Sequence, residues 1–150
     1  MDKRNREQVQ RINCLSNELE MIYHQAARKL GVSDSILCVL YMIYEKGDGC
    51  LLYDICTESG ISKQTINSAI RKLEDEQILY LKQDKGKKKR VFLTEKGNEY
   101  VAKTAARLYE AESLAFGELS EEECKLYLQL MKKYTDAFRI QIEKMEEELV

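Results

Sequence analysis

Apolar residues along this 150-residue chain fall mostly at steps of three and four, the spacing that gathers them on one face of a helix. Val9, Ile12, Leu15, Leu19, Ile22 and Ala26 keep that step across residues 6–29, and Gly31 closes the segment. Ser33 is placed to cap a second helix running to about Glu45; "EKGDG" at 45–49 then reads as a turn. A short third helix, around Leu51 to Glu58, turns Leu52, Ile55 and Cys56 inward and stops at Gly60. Ser62 caps the fourth, whose apolar side is Ile66, Ile70 and Leu73.

The period then changes. "ILYLKQ" (78–83) and "KRVFLT" (89–94) are rich in β-formers and flank the turn "DKGK", which predicts a β-hairpin. Thr94 caps a further helix expected to run unbroken to about Ala115, with Tyr100, Val101, Ala105 and Leu108 on one face. Leu119-Ser120-Glu121-Glu122-Glu123 has the pattern of a capping box, with Leu119 in the staple position. The last helix carries Tyr127, Leu130, Tyr134, Ala137 and Phe138 on toward Met145 and Leu149. The fold class expected is mainly α with a small β-hairpin.

Composition fits this. The chain has no proline and seven glycines, so breakers are few. With 44% hydrophobic and 33% charged residues it has the make-up of a core-forming domain rather than a disordered one. The longest apolar run, "ILCVLYMIY" at 36–44, falls well short of the roughly 20 residues that span a bilayer. The opening "MDKRNREQVQ" lacks the apolar stretch of a secretory signal, so no membrane partner and a cytoplasmic location are expected. Cysteines 14, 38, 50, 56 and 124 form no C-x-x-C pair, and His24 is the one histidine. No metal site and no cofactor are expected. Cys38 and Cys56, set among apolar residues, read as small buried hydrophobes.

Charge changes the picture at one place. The net charge is −2, yet residues 82–90 hold six basic residues and one acid, while residues 118–150 hold nine acids against five bases. Just upstream, the polar side of the fourth helix shows Ser62, Lys63, Gln64, Thr65, Asn67, Ser68 and Arg71. A solvated face ordinarily mixes Glu with Lys at four-residue spacing; this one is built of donors and acceptors. Gln, Asn and Arg make paired hydrogen bonds to base edges, and a helix N-terminus favours phosphate. A short helix, a turn and a second helix of this kind form a helix-turn-helix. The hairpin that follows bears Lys85, Lys87, Lys88, Lys89 and Arg90, residues suited to tracking phosphates. Each feature alone is as easily a solvated surface; adjacent and in this order, they point to nucleic acid.

The stretch "LLYDICTESGISKQTINSAIRKLEDEQILYLKQDKGKKKRVFLTEKGNEYV" resembles the DNA-binding core of the MarR (multiple antibiotic resistance regulator) family. The matching elements are the recognition-helix pattern from Ser62 to Glu74 and the wing exit "VFLTEKG" from Val91 to Gly97. The resemblance covers nearly the whole chain, residues 1–150 as one domain. It implies a winged helix-turn-helix lobe at about 33–96 flanked by dimerisation helices at about 5–30 and 97–150. It further implies a sequence-specific transcriptional regulator: a homodimer on a pseudo-palindromic double-stranded operator, acting as a repressor released by a small ligand or an oxidant. Family wings commonly carry a D-x-R pair whose arginine reaches the minor groove. Here Asp84 is followed by Lys85-Gly86-Lys87, with no arginine before Arg90. Lysine lacks the planar fork of arginine, so phosphate contact is the role expected of this wing.

Other readings remain. The same lobe serves protein–protein or RNA contacts in principle, and a His24–cysteine pair is the nearest thing to a catalytic constellation, which no Gly-rich loop or orienting group supports; an enzyme is not expected. The resemblance places an effector pocket near Tyr23, His24, Tyr41 and Tyr44, residues that core or interface packing would equally explain. Cys14, on the first helix, is the candidate for an oxidant-sensing alternative, although "RINCLSNELE" lacks the aromatic and alanine neighbours associated with such sensors.

Overall fold

A computed structural model describes residues 3–148, with side chains from 4 to 145. The elements in order are α1 (Lys3–Leu30), α2 (Asp34–Lys46), β1 (Cys50–Leu51), α3 (Leu52–Glu58), α4 (Lys63–Asp75), β2 (Leu79–Gln83), β3 (Lys89–Leu93), α5 (Glu95–Lys103), α6 (Ala105–Phe116) and α7 (Glu121–Glu148). The fold is thus mainly helical with a small antiparallel sheet, as the sequence pattern predicts. The chain forms two compact units, Met1–Tyr109 and Glu110–Val150.

In the first unit, local signals set the helix starts. The Ser33 hydroxyl accepts from the Ile36 amide at 3.3 Å, Ser62 from Thr65 at 3.2 Å, and Thr94 from Gly97 at 2.9 Å. Each supplies a partner to an amide that the helix itself leaves unpaired. The core gathers Val39, Leu40 and Ile43 of α2, Ile55 of α3, Ile66, Ile70 and Leu73 of α4, Leu79 of β2 and Val91 of β3, with Ile78 just ahead of β2. Each such side chain contributes about 1.5–3 kcal/mol by leaving water, so Leu73→Ala would cost about 2–5 kcal/mol. Of the residues predicted to face inward on α3, Ile55 is fully buried, while Leu52 and Cys56 are half-buried against the same core. Cys38 is likewise half-buried rather than enclosed; burial raises the thiol pKa of both. Cys50 is the most enclosed of the thiols described, held in β1.

Two features depart from the sequence reading. The turn at 45–49 leads into a third strand, β1, giving the sheet order β1-β3-β2, with Cys50 opposite Val91 and Leu51 opposite Arg90. And the helix expected from Thr94 to Ala115 is broken at Thr104, whose backbone turns to φ −124, ψ −87. Its buried hydroxyl donates to the Tyr100 carbonyl at 2.6 Å, a back-bond to the preceding turn that bends helices. The predicted inner face survives the break: Val101, Ala105 and Leu108 are buried and Tyr100 is half-buried.

The α4 end is also unusual. Gln77 sits at φ 58, in the left-handed region. The Ile78 amide donates to the Leu73 carbonyl at 2.8 Å and the Gln77 amide to the Glu74 carbonyl at 2.9 Å. This is a Schellman closure with a glutamine where glycine is usual.

In α1 the apolar stripe the sequence marks is mostly outside the core. Val9, Ile12, Leu15, Leu19 and Ile22 are 40–57% exposed, and only the last turns, around Ala27 and Leu30, pack inward. In the second unit α7 starts from the predicted capping box: the Ser120 hydroxyl accepts from the Glu123 amide at 3.2 Å, and the Glu123 carboxylate accepts from the Ser120 amide at 2.8 Å. Tyr127, Leu130, Tyr134, Phe138 and Met145 are exposed along it; Leu149 lies outside the described residues. Among the described residues no helix is long and apolar enough to cross a membrane.

Candidate nucleic-acid interface

The fourth helix is amphipathic in the expected sense. Ile66, Ala69, Ile70 and Leu73 are buried, which turns Lys63, Gln64, Thr65, Ser68 and Arg71 to solvent, with Asn67 half-buried. Of the predicted set, Ser62 and Thr65 are partly spent on structure. Their hydroxyls lie 2.8 Å apart while Ser62 caps the helix. Among the described residues, Lys63, Gln64, Asn67 and Arg71 spend no side chain on an intramolecular hydrogen bond.

The charge order along α4 runs against helix stability. Acids near an N-terminus and bases near a C-terminus stabilise a helix by about 0.3–1 kcal/mol each. Here the first turn has no acid, and Glu74, Asp75 and Glu76 crowd the other end. The C-terminal end is closed by the Schellman bonds and by Lys96 Nζ, which donates to the Glu76 carbonyl at 2.7 Å. At the N-terminal end, the positive dipole end meets no acid from the helix's own first turn.

The hairpin holds Lys85, Lys87, Lys88 and Lys89 exposed. Five register pairs, from Leu79–Leu93 to Gln83–Lys89, align β2 with β3; the Asp84 amide then donates to the Lys88 carbonyl at 2.8 Å and Gln83 Nε2 to the Gly86 carbonyl at 3.0 Å. Gly86, at φ +84, supplies the left-handed turn. Arg90 differs from the lysines. Its Nε donates to Asp84 Oδ2 at 2.7 Å and its Nη1 to the Gly49 carbonyl at 2.8 Å. That ion pair and the Lys85 amide hold the Asp84 carboxyl below its usual pKa.

Sequence reasoning missed several aromatic residues here. Tyr80 and Phe92 are register partners that stack at 5.5 Å on the outer side of the sheet, and Tyr53, at the start of α3, is 71% exposed. The alternation of β2 and β3 could have pointed to the first two.

The residues suggested as an effector pocket divide. Tyr41 and Tyr44 converge on Tyr109, with ring centroids 6.1 and 5.4 Å away; Tyr109 escaped the sequence reading. His24 pairs with Asp34, Nδ1 to Oδ2 at 2.9 Å, tying α1 to the first residue of α2. That contact raises its pKa above 6.5, with Glu20 adding to it. Tyr23 is partly exposed on α1, and Cys14 is exposed farther along it. Among the described residues no group of three or more His, Cys, Asp or Glu is arranged to hold a metal ion.

Residues 27–90 match the sequence model of the MarR family. No curated protein sequence matches the chain with significance. Among solved structures, the chain is similar to MepR of S. aureus in complex with DNA, at 22% identity and a TM-score of 0.68 over 85% of this chain and 93% of that one. It is similar to NMB1585, a MarR family regulator from Neisseria meningitidis, at 15% identity and a TM-score of 0.81 over 91% of this chain and 97% of that one. It is also similar to the PcaV transcriptional regulator of Streptomyces coelicolor in complex with its natural ligand, at 18% identity and a TM-score of 0.59 over 82% of this chain and 90% of that one. Residues 27–90 thus carry the sequence pattern of the MarR family, and the chain has the winged-helix fold of MarR family regulators over most of its length.

Proposed function

We propose that this protein is a sequence-specific DNA-binding transcriptional regulator, a homodimeric repressor that a small ligand releases from its operator. The observation that carries the DNA reading is the surface of α4. Its first turn carries no acid, Lys63, Gln64, Asn67 and Arg71 make no side-chain hydrogen bond within the described residues, and four exposed lysines follow on the hairpin. In this reading Gln64, Asn67 and Arg71 contact base edges or the adjacent backbone, while Lys85, Lys87, Lys88 and Lys89 neutralise phosphates. MepR, similar in fold, is described in complex with DNA. The exposed apolar stripes of α1 and α7 support the dimer, since a contiguous apolar face of that length marks an interaction surface and a two-fold axis lets one patch cover its copy. Ligand release rests on the family resemblance and on the ligand-bound relative, with Tyr41, Tyr44 and Tyr109 the nearest aromatic cluster. The region is expected to act in the cytoplasm, without a cofactor and without catalysis.

Footprinting on the region upstream of its own gene tests this. A dimeric regulator protects a site with dyad symmetry, its recognition helices in major grooves about 34 Å apart, and light scattering returns twice the 17.5 kDa chain mass. Asn67→Ala or Arg71→Ala should weaken specific binding by about 1–3 kcal/mol and relax preference at one base pair. Lys87→Ala should weaken binding to all sequences and shallow the slope of log K against log salt by about one. Equal affinity for the upstream duplex and for random duplex would overturn the regulator reading.

A further inference from the structure

Arg90 is held differently from the lysines around it, by hydrogen bonds to Asp84 and to the Gly49 carbonyl. It lies in the central strand, with Lys82 opposite it on β2 and Leu51 opposite it on β1. Period-two alternation puts Lys82, Asp84 and Arg90 on the same side of the hairpin. From there the guanidinium reaches two elements at once, Asp84 at the root of the wing loop and the Gly49 carbonyl just before β1. Asp84 extends the connection into the loop: its other carboxylate oxygen accepts from the Lys85 amide at 2.8 Å, and its own amide donates to the Lys88 carbonyl at 2.8 Å. Residues 49, 84, 85, 88 and 90 therefore form one continuous chain of hydrogen bonds.

Resting on the DNA-binding reading above, we infer that Arg90 is a positioning residue of the wing and not a phosphate ligand. Its fork joins the loop root to the start of β1 and fixes the direction in which the lysines project. Two arguments carry this. The arginine's charge is matched locally by Asp84 at 2.7 Å, so it adds little to the field at a phosphate several ångströms away. And an aspartate beside four lysines would repel phosphate unless paired, so the pair explains how an acid is accommodated there. A lysine at position 90 would keep the charge but lack two donors in a fixed plane.

The experiment compares Arg90→Lys, Arg90→Ala and Asp84→Asn with the unmodified protein, by anisotropy titration on labelled upstream duplex across a salt series and by amide hydrogen exchange. A positioning role predicts that Arg90→Lys and Arg90→Ala lose affinity alike, by about three- to tenfold, with the salt slope unchanged. It predicts that Asp84→Asn also weakens binding, although a negative charge has been removed, and that the Asp84 and Lys85 amides exchange faster in all three variants. A direct phosphate contact predicts the reverse: Arg90→Lys binds nearly as the unmodified protein, Arg90→Ala shallows the slope by about one, and Asp84→Asn binds more tightly. That second pattern, or unchanged exchange at Asp84 and Lys85, overturns the inference. Lys87→Ala is the internal control. If the unmodified protein binds no duplex, the DNA reading itself falls and the inference with it; if it binds, responds to Lys87→Ala and is indifferent to Arg90→Lys, the positioning role alone is wrong.

Discussion

Replacing Gly97 with alanine sets two effects of opposite sign against each other. Gly97 lies in the first turn of α5 and is buried. On helix propensity alone, alanine should stabilise by about 1 kcal/mol. The structure denies that gain, because a Cβ at Gly97 would lie 1.9 Å from the Ile78 carbonyl oxygen and 3.3 Å from Leu93 Cδ2. The partner is backbone, so no rotamer change relieves it, and α5 must retreat from the start of β2 until that 1.9 Å becomes at least 3.0 Å. The retreat strains the Thr94 amide bond to the Ile78 carbonyl, already 3.1 Å long, and the Thr94 cap on the Gly97 amide. Overpacking costs about 1–3 kcal/mol, and the hydrogen bond and the cap are each worth about 1 kcal/mol. Set against the propensity gain, the net loss is about 2–4 kcal/mol, a large share of a typical 5–15 kcal/mol. Thermal unfolding followed by circular dichroism, at matched protein concentration, should show the midpoint falling by about 5–15 °C. A midpoint unchanged or raised would refute the reasoning, because it would mean that the helix start adjusts freely and that the close approach has no energetic weight.

Gln77→Gly should act in the other direction: it removes the cost of a left-handed glutamine at φ 58 and should raise stability by about 0.5–1 kcal/mol after the entropy of glycine is counted. A lower urea midpoint would count against the Schellman assignment. His24 carries a pH prediction whose sign follows from its raised pKa. The Asp34 contact contributes stability that is fully present below pH 6.5 and is lost as pH rises through the higher folded value. His24→Gln should therefore lower the unfolding midpoint more at acid than at alkaline pH, and an NMR titration of the unmodified ring should give a pKa above 6.5; a value at or below it would remove the linkage.

What could be read from the chain in advance depended on the range of the interaction. Ser33, Ser62, Thr94 and Ser120 were legible as caps because a cap joins a side chain to an amide three residues on. The polar face of α4 was legible because periodicity alone separates it from Ile66, Ile70 and Leu73. β1 was not, since two residues carry no period and Cys50 finds its partner at Val91, far along the chain. The break at Thr104 was hidden because Val101, Ala105 and Leu108 keep helical spacing across it. Gln77 gave no turn signal, lacking the glycine that usually marks one. Arg90 looked like one more base in a basic run, because nothing local indicates that its partners are Asp84 and the backbone at Gly49.

The junction where α4 ends and α5 begins has a mechanical consequence. Thr94 Oγ1 lies 2.7 Å from the Gln77 carbonyl and 3.1 Å from that of Ile78, and Lys96 reaches the Glu76 carbonyl. The tail of α4 and the exit of the hairpin are therefore clamped together, and the hairpin between them is closed by its own ladder. These cross-links leave the junction few ways to rearrange without breaking hydrogen bonds. If the proposed dimer forms, two lobes built this way would gauge an operator by the distance and phase between them, and a ligand acting as proposed would need only to alter that spacing, leaving each α4 surface intact.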